Sequence, residues 1–401
     1  MTELPLSGVT VVAMEQAVAV PFATRQLADL GARVIKIERP ESGDFARGYD
    51  DKVRGLSSAF VWLNRGKESI ELDTKSSAGK RTLAALLERA DVFLHNISPN
   101  AARRQGIDSQ TLSAAYPGLI CGSVSGYGTT GPMAEAKAYD LLIQGETGLM
   151  SLNGDEENFA KVGISVADIA AGMYTFSGVL AAIHHRSRTG EALPVDVSLF
   201  DSLTEWLSYP MYYTQYGGVP PRRMGTSHAT IAPYGGFTTA DGQRVLLAVQ
   251  NDREWKRFCR DVLERIDLAD SPRFNSHSSR VEHREELDAI VAERISKLDL
   301  TTVEKRLECA EVAFARMNTI DQLHHHEQLR GRGRWVSTDS EVGPLNTLLP
   351  PWFPSGVLPE FGRIPTLGEH TDEVLAWLGL SDASNRDESI LSAAPAAAPT
   401  K

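Results

Sequence analysis

The sequence predicts an α/β fold with a parallel sheet, and three adjoining stretches carry that prediction. Val9 to Met14 is a short β-branched run, the pattern of a buried strand. Helix-like sequence through Arg25, Gln26, Leu27 and Leu30 follows and stops at Gly31, a C-terminal cap. Val34 to Glu38 is the next strand. Strand, helix and strand within about 30 residues form a βαβ unit, and such a crossover joins parallel strands.

The totals bound the rest. A chain of 401 residues holds one large or two modest domains. Hydrophobic content of 42% and charged content of 23% are ordinary for a globular chain. The net charge of −11 argues against nucleic acid or an anionic membrane as partner. Cys121, Cys259 and Cys309 are scattered, with no CxxC pair; that suits a reducing compartment and offers no metal framework. No basic, apolar leader opens the chain, and no apolar run is expected to span a bilayer. The expectation is a soluble, cytoplasmic protein.

Further along, a helix is expected from about Ser77 to Ala90, then a strand over Asp91 to Leu94 and a loop from His95 to Asn100. Leu119 to Ser125 is another strand, ending in Gly126 to Gly131, which formally matches GxGxxG. A dinucleotide reading is rejected: the match lies late in the chain, Pro132 follows it, and no acidic residue ends a paired next strand.

Lys161 to Gly190 contains one long amphipathic helix. Ile169, Met173, Phe176, Leu180 and Ile183 form a single apolar stripe. Ala170, Ala171, Gly172, Ser177 and Gly178 keep the helix thin enough for another backbone to approach. Arg186, Arg188 and Gly190 mark its end. Asp168 falls in the first turn, and two readings of it stand. With Ser165 it completes a capping box before an apolar run. Alternatively, it is a carboxylate held ionised by the helix N-terminus and able to carry an acyl group covalently.

Val195 to Phe200 is a strand leading into a helix with Trp206. Tyr216 to Gly236 is rich in Gly, Pro, Arg and Thr and reads as a linker before the strand Arg244 to Val249. Asn251 to about Asn318 is helical around Trp255, Phe258, Val262, Leu287, Ile290 and Ile295, a smaller second domain. His324, His325 and His326 are consecutive and share no helix face, so no metal site is expected. Pro350 to Pro354 reads as an extended strap.

Several of these blocks resemble one family. VGISVADIAAGMYTFSGVLAAIHHRSRTG is similar to the segment of the class III CoA-transferases (the formyl-CoA and carnitine CoA-transferase family) that carries their nucleophile, matched here by Asp168. Leu27 to Gly48 resembles the family's opening signature. Asn64 to Asp73 fits its N-x-x-K-x-S-x-x-L-D block, Ser125 to Pro132 its S-G-[FY]-G-x-x-G-P block, and Val195 to Leu199 its V-D-V-S-L block. Gly368 to Leu375 resembles its closing helix.

The resemblance implies a Rossmann-like large domain built from both chain ends, a smaller α+β domain and an interlocked homodimer. Together with composition, it divides the chain into 1–215, a linker at 216–232, the small domain at 233–325, and a return strap and C-terminal part of the large domain at 326–380; the polar, then Ala/Pro-rich stretch 381–401 is expected to be a disordered tail. It implies a CoA thioester as substrate with no tightly bound cofactor and no metal. Arg39, Leu72, Lys75, Asn96, Ile97, Ser98, Arg104, Lys137, Tyr139 and Asp140 are the implied CoA-binding positions. The loop departs from the common E-N-F-x-P-G at His95, Ile97 and Asn100. Gly235 and Gly236 match a glycine-bearing loop whose N–H groups stabilise an oxyanion. α-Methylacyl-CoA racemases share the fold and remain the alternative, but they carry a proton-shuttling His where this chain has Tyr139. Glu15 to Pro21, Asp44 to Arg65 and Gln250 to Trp255 resemble the branch acting on C4 and C5 dicarboxylates. That branch includes mesaconyl-CoA C1–C4 transferase and the succinyl-CoA:itaconate and citramalate transferases. Gln16 is an implied substrate contact, and Arg47, Arg222, Arg223 and His228 are candidates to grip a distal carboxylate.

Overall fold

The computed structural model describes residues 3–357 and 360–380. The tail expected at 381–401 lies outside the described residues. The chain divides into two compact units. Among the described residues, 3–147, 162–208, 331–357 and 360–380 form the first, and 148–161 and 209–330 the second. The stretch 216–232, read from sequence as a linker, thus falls inside the second unit, together with 148–161.

The first unit is built on a six-stranded parallel sheet. Its strands are β1 (Thr10–Met14), β2 (Arg33–Glu38), β3 (Lys67–Glu71), β4 (Val92–His95), β5 (Ile120–Ser125) and β6 (Val195–Ser198), in the order β3-β2-β1-β4-β5-β6. Helices join them: α1 (Ala19–Asp29), α2 (Ser58–Asn64), α3 (Ser77–Arg89), α4 (Pro99–Gln105), α5 (Ser109–Ala115), α6 (Asp140–Glu146) and α7 (Val166–Thr189), with α8 (Leu199–Trp206) after β6. Strands covered on both faces are largely apolar, which is why β1 and β4 read as near-continuous hydrophobic runs. Val12, Ile35 and Phe93 are fully buried in that core, each contributing about 1.5–3 kcal/mol of burial. The C-terminal helix Thr371–Leu378 returns to β3, where Glu71 N–H donates to Thr371 Oγ1 at 3.0 Å. The guanidinium groups of Arg33 and Arg89 lie over the Trp377 ring, at 4.3 and 4.9 Å.

The strand order reverses between β1 and β4, and ligands in such sheets bind in the crevice beyond the carboxyl ends at that point. Everything placed there is a candidate for function.

α7 corrects two expectations. Its buried face is the small one: Ala167, Ala170, Ala171, Gly172, Thr175, Val179 and Ala182. The large stripe is left half-buried, with Met173 39% exposed. The reason is the approach of α1: a Cβ on Gly172 would stand 2.6 Å from the Ala19 carbonyl oxygen, so only small residues fit against it. At 24 residues, with a mean hydropathy of 1.5 in its most apolar window, α7 is also long and apolar enough to cross a membrane, contrary to the reading of the sequence. It ends at Gly190, whose φ of 79° is the left-handed cap that glycine adopts freely.

In the second unit the strands Tyr234–Thr238, Arg244–Ala248 and Ala313–Arg316 form an antiparallel sheet. Trp255, Phe258, Val262, Leu287 and Ile295 fill the core beside it, with Ile290 packed at its margin.

Candidate active site

The crevice begins where β1 and β4 end. Asn96 Nδ2 donates to Gln16 O at 2.7 Å and Gln16 N–H returns the bond to Asn96 Oδ1 at 3.1 Å, so the two strand ends are locked together. Arg39, just beyond β2, donates to Gln16 Oε1 at 2.6 Å. A small cleft opens here, lined by Gln16, Arg39, Leu72, Thr74 and Ile97 among others. Four residues picked from the sequence thus share one cleft. Ser98 and the cations Lys75, Arg104 and Lys137 are exposed, and no ion pair engages those three among the described residues. Arg103, one position from Arg104, is instead held by Glu135.

Beneath the crevice lies a buried ionic cluster. Lys36 Nζ donates to Asp44 Oδ2 at 2.8 Å, and Lys67 Nζ to Glu15 Oε1 at 2.6 Å, with Lys36 also 3.3 Å from Glu15. Burial raises the Glu15 carboxyl, but the charges of Lys67 and Lys36 outweigh it and hold it below the usual range. Burial pushes Lys67 down to about 8 against the pull of Glu15. Asp44 Oδ1 accepts from Ala17 N–H at 3.1 Å, pinning a non-glycine residue at φ 60° directly after Gln16.

Arg47 belongs to this cluster, which corrects its assignment as a substrate clamp. Its guanidinium binds Glu38 through two hydrogen bonds, of 2.9 and 2.7 Å, and lies over Phe60 at 3.8 Å. Burial would raise Glu38, but Arg47 and Lys36 hold it at about 2, so its charge is fixed and Arg47 is fully engaged.

Asp168 has the opposite surroundings. Ser165 is the N-cap residue of α7 yet makes no side-chain cap bond, so the expected capping box is absent. The cap comes from α6 instead: Asp140 Oδ1 accepts from Ala167 N–H at 2.8 Å. Asp168 sits half-buried one turn before Gly172, with no ion pair among the described residues. Burial, and second the charge of Asp140, push its carboxyl up to about 7. The helix N-terminus does not hold it ionised in the way the sequence reading supposed. A carboxyl poised near neutrality beside a like charge is the mark of a reactive group.

Tyr49 lies within electrostatic reach of this carboxyl. Burial first, then the charges of Asp44, Asp168 and Tyr139, push the Tyr49 hydroxyl up to about 12. Tyr139 precedes α6 and is 69% exposed.

In the second unit, His228 Nδ1 accepts from Thr230 N–H at 3.2 Å, and its ring lies 5.2 Å from that of Tyr234. Arg284 holds the His228 carbonyl at 2.7 Å. Arg223 donates to the carbonyls of Asp155 and Glu156 and covers Phe159, so its guanidinium is engaged; Arg222 is exposed at the same turn or loop. Gly235 and Gly236 are strand residues paired with Leu247 and Leu246. Gly236 N–H donates to Thr226 Oγ1 at 3.2 Å, which corrects its assignment as an open oxyanion donor. A Cβ on Gly235 would meet Ser227 Oγ at 2.6 Å, so close packing explains that glycine.

The family model described as CoA-transferase family III matches residues 6–371. The chain belongs to CoA-transferase family III. Among relatives of this family III CoA-transferase, the succinate–glutarate CoA-transferase of Agrobacterium fabrum is 34% identical over 93% of the chain and 96% of its own length. The succinyl-CoA:mesaconate CoA-transferase of Haloarcula marismortui is 32% identical over 96% of the chain and 99% of its own length. A CaiB/BaiF family protein from Brucella suis has a solved structure that matches with a TM-score of 0.82 and 32% identity, covering 94% of the chain and 100% of its own.

For a CoA-transferase of this family, the sequence reading missed three groups. Tyr49 carried no signal beyond an aromatic at the end of a short turn. Asp140 was read for CoA binding and not as the cap of α7. Gln144 went unread, although an Asp and a Gln four apart on one helix pair routinely, as Gln144 Nε2 and Asp140 Oδ2 do at 2.8 Å.

Proposed function

We propose that this enzyme moves CoA between the carboxylates of small dicarboxylic acids, with Asp168 as covalent carrier. The observation that carries the reading is a half-buried carboxyl, uncompensated by any cation among the described residues and raised to about 7, at the start of α7. Its ionised form attacks the thioester carbonyl carbon, the C–S bond breaks, and CoA leaves as thiolate with an acyl-aspartyl anhydride behind it. The thiolate then attacks the aspartyl carbonyl, releasing the first acid and leaving an aspartyl-CoA thioester. The acceptor carboxylate displaces CoA to form a second anhydride, and the returning thiolate takes the new acyl group and frees Asp168. No net proton or electron is exchanged. Exclusion of water during these steps keeps the anhydride from hydrolysis.

The cleft bearing Arg39, Leu72 and Ile97 suits a flat heteroaromatic ring, and the uncommitted cations Lys75, Arg104 and Lys137 suit phosphates. The substrate class rests on the relatives named for glutarate and mesaconate, and on the motifs shared with the C4/C5 branch. Succinyl-CoA is our donor, with mesaconate, itaconate or citramalate as acceptors, or a C1–C4 shift within mesaconyl-CoA. Arg222 and His228 remain our candidates for the distal carboxylate. We further propose a homodimer. Leu141 and Leu142 on α6, Met173 and Tyr174 on α7 and Trp206 on α8 are exposed apolar side chains that a second copy would cover. The functional test is intact-protein and peptide mass spectrometry after incubation with succinyl-CoA or mesaconyl-CoA, trapped with hydroxylamine. Label confined to Asp168 and absent from Asp168→Asn supports the reading. Solvent deuterium entering the α-carbon without label at Asp168 overturns it in favour of racemisation.

A further inference from the structure

The lead-in to α7 is held by one side chain that the transfer chemistry does not use. Gln144, in the middle of α6, is fully buried. Its Oε1 accepts from Val162 N–H at 2.8 Å, and its Nε2 donates to Asp140 Oδ2 at 2.8 Å and toward Ile164 O at 3.4 Å. The amide orientation follows from the partners: a backbone N–H can only donate, so the oxygen faces Val162 and the NH₂ faces the Asp140 carboxylate. Asp140 uses its other oxygen to cap Ala167 N–H, immediately before Asp168. One amide therefore binds the segment before the helix and also aims the carboxylate that caps the helix in place of Ser165.

We propose that Gln144 is a positioning residue for the acyl carrier, acting through Asp140 and the 162–164 segment to fix the first turn of α7. The inference rests on the reading of Asp168 as nucleophile. Its chemistry is specific. Only a group that donates toward Asp140 and accepts from Val162 at once fits between them. A protonated carboxylic acid can do both, whereas a carboxylate can only accept and would repel Asp140. Buried beside Asp140, a carboxylic acid at position 144 would itself titrate well above its usual range.

The test compares Gln144→Glu and Gln144→Met with wild type in full-length protein, measuring kcat, KM for succinyl-CoA and the rate of covalent labelling at Asp168 across pH. The Gln144→Glu to wild-type ratio of kcat is expected to lie within about threefold of unity near pH 6, where the new acid is protonated. It should fall by about tenfold or more near pH 8.5 as that acid ionises. Gln144→Met, which neither donates nor accepts, should lose about ten- to a hundredfold in kcat at every pH, with KM changed less than about threefold. Labelling at Asp168 should slow in parallel. A flat Gln144→Glu ratio across pH, or an equal loss in KM and kcat for both variants, would overturn the proposal and leave Gln144 a packing residue. Wild-type label at some residue other than Asp168 would remove the nucleophile reading, and this inference with it. A flat ratio with wild-type label at Asp168 removes the inference alone.

Discussion

Around the carboxyl end of β1, the buried acids Glu15, Glu38 and Asp44 are met by Lys36, Lys67 and Arg47. At the start of α7, Asp168 and Asp140 meet no cation among the described residues, and only Asp140 has hydrogen-bond donors, from Ala167 and Gln144. The two clusters belong to the same unit, and each holds buried or half-buried carboxyls. In the first, each ion is paired, the Glu15 and Glu38 carboxyls are driven below their usual range, and the geometry of Gln16 and Ala17 is fixed as a result. In the second, nothing offsets desolvation, and the Asp168 proton is held to about 7. Compensated charge serves architecture, and uncompensated charge is available for chemistry.

Asp168→Asn should break the second cluster with the largest effect. We expect a loss of about 10³-fold or more in kcat with a folded protein that still binds CoA. Its stability should change in the opposite sense. The folded carboxyl titrates near 7, well above the ordinary aspartate range of about 4, so the folded state binds that proton more tightly. The contribution to stability is complete below about pH 4 and is lost as pH rises through 7. Asp168→Asn should therefore match wild type near pH 4 and exceed it above pH 7 by about 1–3 kcal/mol, measured by urea unfolding.

Glu15→Gln attacks the first cluster and leaves Lys36 and Lys67 facing each other with one partner fewer. About 3–5 kcal/mol of stability should be lost at pH 7. The Glu15 carboxyl is held below its usual range when folded, so its contribution is present above about pH 4.5 and fades as pH falls. The deficit of the variant should shrink accordingly in acid. Gly172→Ala drives a methyl against the Ala19 carbonyl and should cost about 1–3 kcal/mol, with activity reduced because the same contact sets the start of α7.

The smallest effects sharpen the comparison at the surface. Lys75→Ala and Arg104→Ala should each raise KM for the CoA thioester by about three- to tenfold, less at high salt, with kcat nearly unchanged. Arg103→Ala should leave KM within about twofold, because Glu135 already engages that guanidinium.

Much of the sheet was legible in advance, because β-branched runs separated by helical stretches force a parallel crossover. Asp168 was legible as a choice between cap and carrier. The cap of α7 comes from Asp140, 28 positions before Asp168 in sequence, which no local spacing reveals. Arg47 was misread because the turn after β2 folds it back onto Glu38, the last residue of that strand, a geometry that spacing alone does not give. On α7 the hydrophobic stripe misled because size was taken as the sign of burial. Close helix packing selected the small face and left the large residues half-buried.

The most direct test of the central contrast is the pH dependence of acyl labelling at Asp168, read by peptide mass spectrometry after brief exposure to succinyl-CoA. Uncompensated burial predicts labelling confined to Asp168, with a rate that rises through a midpoint near pH 7. A midpoint near 4, or label appearing elsewhere, would contradict it.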